Sequence, residues 1–432
     1  MRNAQRLRNI VGGSAGNFVE WFDWFVYASF AIYFSRAFFP AGDQTVQLLN
    51  AAFVFAGGFL ARPIGAWLMG RYADRQGRRA ALALSVGMMC LGSLAIAVMP
   101  TGLGVASTCL LIAARVLQGL SIGGEYGASS TYISEMSKRS TRGLWSGVYY
   151  STLTAGQLTA VLVQVVLQLV LTEAQLYAWG WRIPFAIGAM LALVVFWIRR
   201  GIDETHAFVA DNADARRDST GWRLLTRYPK ETAMVIALSA GGGVGFYTYT
   251  TYMQKYLVNT AGFAKDSASR IITMVLLTMM FLLPLVGWIS DKIGRKPVLA
   301  FSYGAGALLA VPVTTAIAST TDPVQAYFLC MLPIIALCGY AALSSIIKAE
   351  LFPTRVRALG VALPYAFSQA IFGGNAETAA LSFKRAGNES GYFWLVTALM
   401  SVGLFVALFM RDTQKQNLIA DVPESSEKPA PD

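Results

Sequence analysis

Apolar positions in this chain gather into long runs instead of alternating or recurring every third or fourth place. Twelve runs each reach the roughly 20 helical residues needed to cross a bilayer's hydrocarbon core. They lie near 15–37, 50–71, 80–99, 105–128, 144–170, 181–199, 232–257, 268–289, 297–317, 324–347, 358–381 and 391–410. Backbone in lipid must satisfy its own hydrogen bonds, so runs of this kind predict helices. The expected fold class is an all-α membrane protein with twelve transmembrane helices in two six-helix halves. A polar stretch, Arg200–Lys230, divides them. The expected organisation is an N-terminal half over 1–199, a linker over 200–230, a C-terminal half over 231–411 and a disordered tail over 412–432.

The polar turns between runs carry a repeat. GRYADRQGRR at Gly70–Arg79 returns as GWISDKIGRK at Gly287–Lys296, 217 positions later, and Glu135 and Arg142 are echoed by Glu350 and Arg357 at an offset of 215. Duplication at half the chain length is a common architecture of membrane transporters. The glycines allow close backbone approach, while Asp74 or Asp291 can pair with the clustered cations or face a helix N-terminus. The candidate conformational switch is therefore Gly70, Asp74, Arg75, Gly77 and Arg78, with Asp291, Lys292, Gly294 and Arg295. The pairs Glu135–Arg142 and Glu350–Arg357 belong to it as well.

Composition sharpens the membrane reading. Hydrophobic residues make up 55% of the chain and charged ones 14%, against about 25% charged in soluble domains. The cations that give the net charge of +11 sit in alternate gaps. One side holds Arg2, Arg6, Arg8, Arg75, Arg78, Arg79, Arg139, Arg216, Arg217, Arg295 and Lys296; the other holds Arg36, Lys265, Arg270, Lys384 and Arg385. That asymmetry predicts both termini in the cytoplasm and accounts for the charge without a nucleic-acid partner. The basic N-terminus leads into apolar sequence, but Glu20 and Asp23 interrupt it, so the first run is expected to be retained.

Absences exclude other classes. The only histidine, His206, lies in the polar centre, and Cys90, Cys109, Cys330 and Cys338 lack ligand spacing, so no metal site or nucleophilic relay is expected. No phosphate-cradling GxxxxGK[ST] loop occurs, which argues against direct ATP coupling. No cofactor and no enzymatic activity are expected.

The unduplicated charges inside the runs are the candidate chemistry. Glu20, Asp23, Arg62, Arg115 and Glu125 have no charged counterpart in the second half, and charge at bilayer depth is functional by default. Asn17, Glu20, Asp23 and Tyr27 fall on one stripe of the first run. Two carboxylates one turn apart in low dielectric repel, so one can hold a proton near neutrality. Asp23, Glu20 and Glu125 are the candidate proton-coupling residues, with Asp23 the deepest. The alternative is that the carboxylates neutralise Arg62 or Arg115 in structural ion pairs. Two arginine forks suit a dianion. Arg62, Arg115, Tyr27, Lys255, Tyr252, Gln369 and Asn375 are the candidate substrate-binding residues. Glu377 is expected to pair with Lys255. Tyr249 and Tyr256 are expected in an interfacial aromatic belt, and Lys348, at the cytoplasmic boundary, reads as a topology residue.

The duplicated turn G-x-x-x-D-[RK]-x-G-R-[RK] resembles the signature loop of the major facilitator superfamily. RVLQGLSIGGE (Arg115–Glu125) and KAELFPTRVRALG (Lys348–Gly360) resemble its motifs in the fourth helix and after the tenth. NFVEWFDWFVY (Asn17–Tyr27), RPIG (Arg62–Gly65), GWRIPFA (Gly180–Ala186), TYMQKYLVNTAG (Thr251–Gly262) and IFGGNAE (Ile371–Glu377) are similar to the metabolite:proton symporter family within it. The resemblance implies two six-helix halves, alternating access and proton-driven import through a bacterial inner membrane. The partners it implies are a small organic acid, a proton and the lipid bilayer; nothing in the sequence demands more than a monomer, which is the expected state. The implied solute is a dicarboxylate 2-oxoacid, α-ketoglutarate first; another organic acid, shikimate or a betaine-like solute is the alternative. A substrate-gated membrane sensor is a reading from a different class, but a linker of about 30 residues is too short for an output domain.

Overall fold

A computed structural model describes residues 3–40, 42–76, 78–200, 224, 226–353 and 356–414. It leaves out the side chains at 3–15, 70–71, 73–76, 78–83, 124–125, 128, 132, 135–136, 198–200 and 358. Among the described residues every regular element is helical. All twelve expected spans are present, numbered here in chain order. The first six are Asn3–Phe38, Gln44–Gln76, Arg78–Val98, Val105–Met136, Arg142–Val170 and Ile183–Arg200. Span 7 runs as Pro229–Tyr247, a π-helical turn Thr248–Tyr252 and Met253–Asn259. Spans 8, 9 and 10 are Lys265–Ile293, Arg295–Ser319 and Pro323–Leu351. Span 11 is Arg357–Ser368, a second π turn Gln369–Gly373 and Ala376–Arg385; span 12 is Glu389–Phe409. Among the described residues, eight helices are long and apolar enough to cross a membrane by length and composition.

Spans alternate in direction, so the two duplicated turns lie at one end of the bundle, called here the motif end. Each half packs on itself, through spans 2 on 4, 3 on 6 and 1 on 5 in the first, and 9 on 10, 9 on 12 and 7 on 12 in the second. The halves meet chiefly through spans 5 and 8, and through span 11 against spans 2 and 4. Glycine makes the first contact possible: a Cβ on Gly287 would stand 2.2 Å from the Gly143 carbonyl oxygen. Large apolar side chains such as Trp67, Phe281 and Phe405 point outward, the surface a lipid-embedded bundle presents.

The π turns are where the sequence reading of regular helices needed revision. Spans 7 and 11 are each broken at mid-length, and the break in span 11 packs on the regular helix of span 7 that precedes its own break, with Gln369 Nε2 donating to the Ser239 carbonyl at 3.1 Å. Such turns free backbone groups and are frequent at functional sites.

Candidate functional site

Arg62 sits midway along span 2, one residue before Pro63. It is only 3% exposed, and its guanidinium carbon lies 4.0 Å from the Phe59 ring centre and 4.2 Å from that of Trp24. Its Nε and Nη2 have no hydrogen-bond partner. Phe59 meets Tyr247 of span 7 edge-on at 5.2 Å, which places Arg62 where the two halves join. The aromatic faces stabilise the cation but offer no acceptor for its N–H groups.

Asp23 has a different environment. Its carboxylate accepts from Gln118 Nε2 at 2.7 Å and from the Ser93 hydroxyl. Gln118 in turn accepts from Arg115 Nη1 at 2.7 Å. Arg115 is fully buried and stacks on Trp24 at 4.0 Å and Tyr27 at 4.5 Å. The simple ion pair considered from sequence is absent among the described residues: Asp23 and Arg115 are joined through an amide. The backbone of span 6 closes on the same carboxylate, since a Cβ on Gly188 would stand 2.3 Å from Asp23 Oδ1. Asp23 therefore points into the first half's own bundle.

The predicted stripe on span 1 divides. Asn17 donates its Nδ2 to the Thr152 hydroxyl of span 5 at 3.3 Å. Glu20 lines a small cavity with Val86, Met89 and Ser121. The Tyr27 hydroxyl donates to the Ala51 carbonyl at 3.0 Å. Neighbours three and four apart share a face, but this stripe climbs about three turns, and in a crowded bundle each turn meets a different neighbouring helix.

Lys255 and Glu377 pair at 2.7 Å, and both are buried. Lys255 also donates to the Ala28 carbonyl at 3.0 Å, which ties span 7 to spans 11 and 1 at the end opposite the motifs. Other expectations for the second half are corrected. Tyr252 donates to Glu389 at 2.8 Å and so faces span 12. Asn375 caps the π turn by donating to the Ala370 and Ile371 carbonyls. Tyr256 is buried and donates to the Thr314 carbonyl at 2.9 Å, and Tyr249 is 1% exposed, so neither belongs to an interfacial belt.

At the motif end, Asp291 accepts from the Gly143 and Leu144 amides at 2.8 and 2.9 Å and pairs with Arg295 at 2.8 Å. A carboxylate of the second half thus caps the first turn of span 5 in the first half, as expected for negative charge at a helix N-terminus. Glu350 lies 3.8 Å from Arg295 and accepts from Thr413 at 2.5 Å. Arg357 donates to the Ala349 and Phe352 carbonyls, and Arg142 is buried beside them. Gly294 has φ of 100°, a conformation that favours glycine. Lys292 is exposed, with its ammonium 5.9 Å from the Trp288 ring centre. Asp412, placed in a disordered tail from sequence, instead accepts from the Arg295 amide at 3.3 Å; the remaining tail beyond Gln414 and most of the linker lie outside the described residues. So does Gly77, together with the side chains of Gly70, Asp74, Arg75, Arg78, Glu125 and Glu135.

Sequence reasoning missed one group altogether. Lys348 is 3% exposed, with Nζ donating to Ser344 Oγ at 2.7 Å and Tyr126 Oη at 3.1 Å, and sitting 3.5 Å from the Tyr365 ring centre. It is no topology residue. The available signal was its spacing, four residues after Ser344, on the polar face of a span that is otherwise small and apolar. One turn further from the motif end than Lys348, Ser130 meets Ser345 at 2.5 Å. The halves therefore touch at both ends of their interface.

Comparisons with known proteins agree with this architecture. The family model of the Major Facilitator Superfamily matches residues 13–375. The alpha-ketoglutarate permease of Escherichia coli (strain K12) is 47% identical over 94% of this chain and 94% of its own length. The citrate-proton symporter of Salmonella typhi is 32% identical over 92% and 93%. The crystal structure of a D-xylose-proton symporter superposes with a TM-score of 0.77 at 19% identity, over 95% of this chain and 99% of that one. With two six-helix halves, the duplicated turn and a family match over most of its length, the chain belongs to the major facilitator superfamily and is a membrane transporter, not an enzyme.

Proposed function

We propose that this protein is a proton-coupled symporter that imports α-ketoglutarate, a dicarboxylate 2-oxoacid, by alternating access. The observation that carries the reading is Arg62, a buried cation with unpartnered N–H groups at the junction of the halves. Its planar fork matches a carboxylate through two hydrogen bonds. The name of the 47% identical permease supports α-ketoglutarate, and that of the citrate-proton symporter supports an organic acid carried with a proton. In this reading residues 1–199 and 231–411 are the halves that rock about the site, and 200–230 links them. The protein works as a monomer in a bacterial inner membrane, with both termini in the cytoplasm.

Asp23 holds the coupled proton. A hydroxyl such as that of Ser93 donates to a carboxylate or accepts from a carboxylic acid, so the contact survives either state. Gln118 links the change to Arg115, which shares the Trp24 ring with Arg62. Asp291 on the span 5 amides, and Lys255 on the Ala28 carbonyl, hold the two ends of the interface and part in turn as the halves rock. The test is uptake of labelled α-ketoglutarate by proteoliposomes under an imposed proton gradient, with unlabelled acids competing. Accumulation that collapses with the gradient and yields to dicarboxylates is expected. Equal competition by acetate or betaine would overturn the dianion reading.

A further inference from the structure

Lys348 has no part in that scheme so far. It is a buried ammonium with no carboxylate paired to it among the described residues. Charge in such a place is costly unless a counter-charge arrives. Its surroundings are tyrosines from both halves. Tyr126 of span 4 stacks on Tyr365 of span 11 at 4.3 Å, and the Tyr126 and Tyr150 hydroxyls are 3.3 Å apart. Tyr340 of span 10, one of this group, has a buried hydroxyl without a hydrogen-bond partner. Tyr365 lies within electrostatic reach of Arg62 on one side and carries Lys348 against its ring on the other.

Three groups thus converge on one aromatic cluster: Arg62 Nε and Nη2 and Tyr340 Oη have no hydrogen-bond partner, and the Lys348 ammonium has hydroxyl acceptors and a ring but no counter-charge among the described residues. Buried polar groups are ordinarily satisfied, and donors in excess define a site for an acceptor-rich anion. Arg62 lies mid-span in span 2. Lys348 lies near the motif end of span 10, one turn from Leu351, where the span stops. The two cations are therefore displaced along the bundle axis, with Tyr365 between them.

We propose that Lys348 is a specificity-determining residue that binds the second carboxylate of the transported dianion, with Arg62 taking the first and the tyrosine cluster lining the space between. Arg115 also has an unpartnered Nε and Nη2, but its Nη1 is joined through Gln118 to Asp23, and it serves the proton site instead. Lys348 then distinguishes a dicarboxylate from a monocarboxylate of the same head group. This rests on the organic-acid reading above and assigns the second cation within it.

The experiment measures binding of α-ketoglutarate, glutarate, malonate and the monocarboxylate 2-oxobutyrate to purified full-length protein, by ligand-induced thermal shift and by competition in proteoliposomes. Wild type is expected to prefer the diacids. Lys348→Gln should cut that preference by about tenfold or more while leaving 2-oxobutyrate unchanged, because only the contact to the distal carboxylate is lost. A preference that survives Lys348→Gln, or an equal loss for both classes of acid, overturns the proposal. Lys348→Arg carries the test independently if the Gln variant fails to fold. Its longer side chain should keep the diacid preference and move it from the five-carbon glutarate towards the three-carbon malonate. An unchanged chain-length order in Lys348→Arg also overturns the proposal. Failure of wild type to bind any of these acids would instead sink the function proposed above.

Discussion

Buried charge is handled in opposite ways at the motif end and at the centre of this molecule. At the motif end, Asp291 meets a guanidinium and two amides of a helix terminus, so its charge is answered by groups of the protein itself. At the centre, Arg62 rests on aromatic rings with two nitrogens unpartnered, and between it and the motif end Lys348 has hydroxyls and a ring but no carboxylate among the described residues. The difference teaches how to separate scaffold from cargo site. Charges that hold a conformation are paired within the protein, whereas charges that hold a solute wait for the solute to complete them.

Removing a paired charge should cost the most. Asp291→Ala leaves Arg295 buried without its nearest carboxylate and uncaps span 5, a loss of about 3–5 kcal/mol of stability. Its melting temperature should fall and exchange between the two access states should slow, while binding of α-ketoglutarate measured below that temperature stays nearly intact. A large loss of affinity with unchanged turnover would reverse the contrast. Asp74→Asn in the first copy of the turn is expected to slow exchange more than Asp291→Asn, because more arginines surround it in sequence.

The central charge should behave the other way round. Arg62→Lys loses the bidentate fork, and binding should weaken by about 1–3 kcal/mol with stability unchanged or raised. A fall in melting temperature as large as that of Asp291→Ala would place Arg62 in the scaffold. Lysine is not a conservative replacement here, because its ammonium offers no planar pair of donors.

Asp23 lies between the two classes, since its hydrogen bonds are made inside one half yet run by way of Gln118 to Arg115. Asp23→Asn keeps size and some hydrogen bonding. It should abolish accumulation against a gradient and still exchange labelled for unlabelled substrate, because exchange need not cycle the proton. Wild-type affinity should fall as pH rises through neutrality, by up to about 1.4 kcal/mol for each pH unit, and the variant should flatten that slope. Accumulation that persists in Asp23→Asn under an imposed proton gradient assigns the proton to another carboxylate, Glu20 or Glu125.

The smallest effect tests a residue taken from sequence as a substrate ligand. The Tyr27 hydroxyl is already committed to the Ala51 carbonyl. Tyr27→Phe should cost about 1 kcal/mol of stability and leave the order of competing acids unchanged. A change in that order would restore Tyr27 to the solute site.

The spans were legible in the sequence because lipid offers the backbone no alternative partner, so hydropathy alone reports where helices must run. The repeat marked the two matching turns, and the excess of unduplicated charge in the first half named Arg62, Arg115 and Asp23 before their neighbours were known. Hydropathy records depth along a helix but not the direction in which a side chain points. Lys348, one turn from the end of span 10, could as readily have reached outward along its own stem as turned inward to Tyr126 and Tyr365. The same blindness grouped Asn17, Glu20, Asp23 and Tyr27 into one stripe, although packing hands them to different helices. Only the tertiary structure decided which buried charges meet a partner, because that depends on atoms more than a hundred residues away in the chain, as with Asp291 and the amides of span 5.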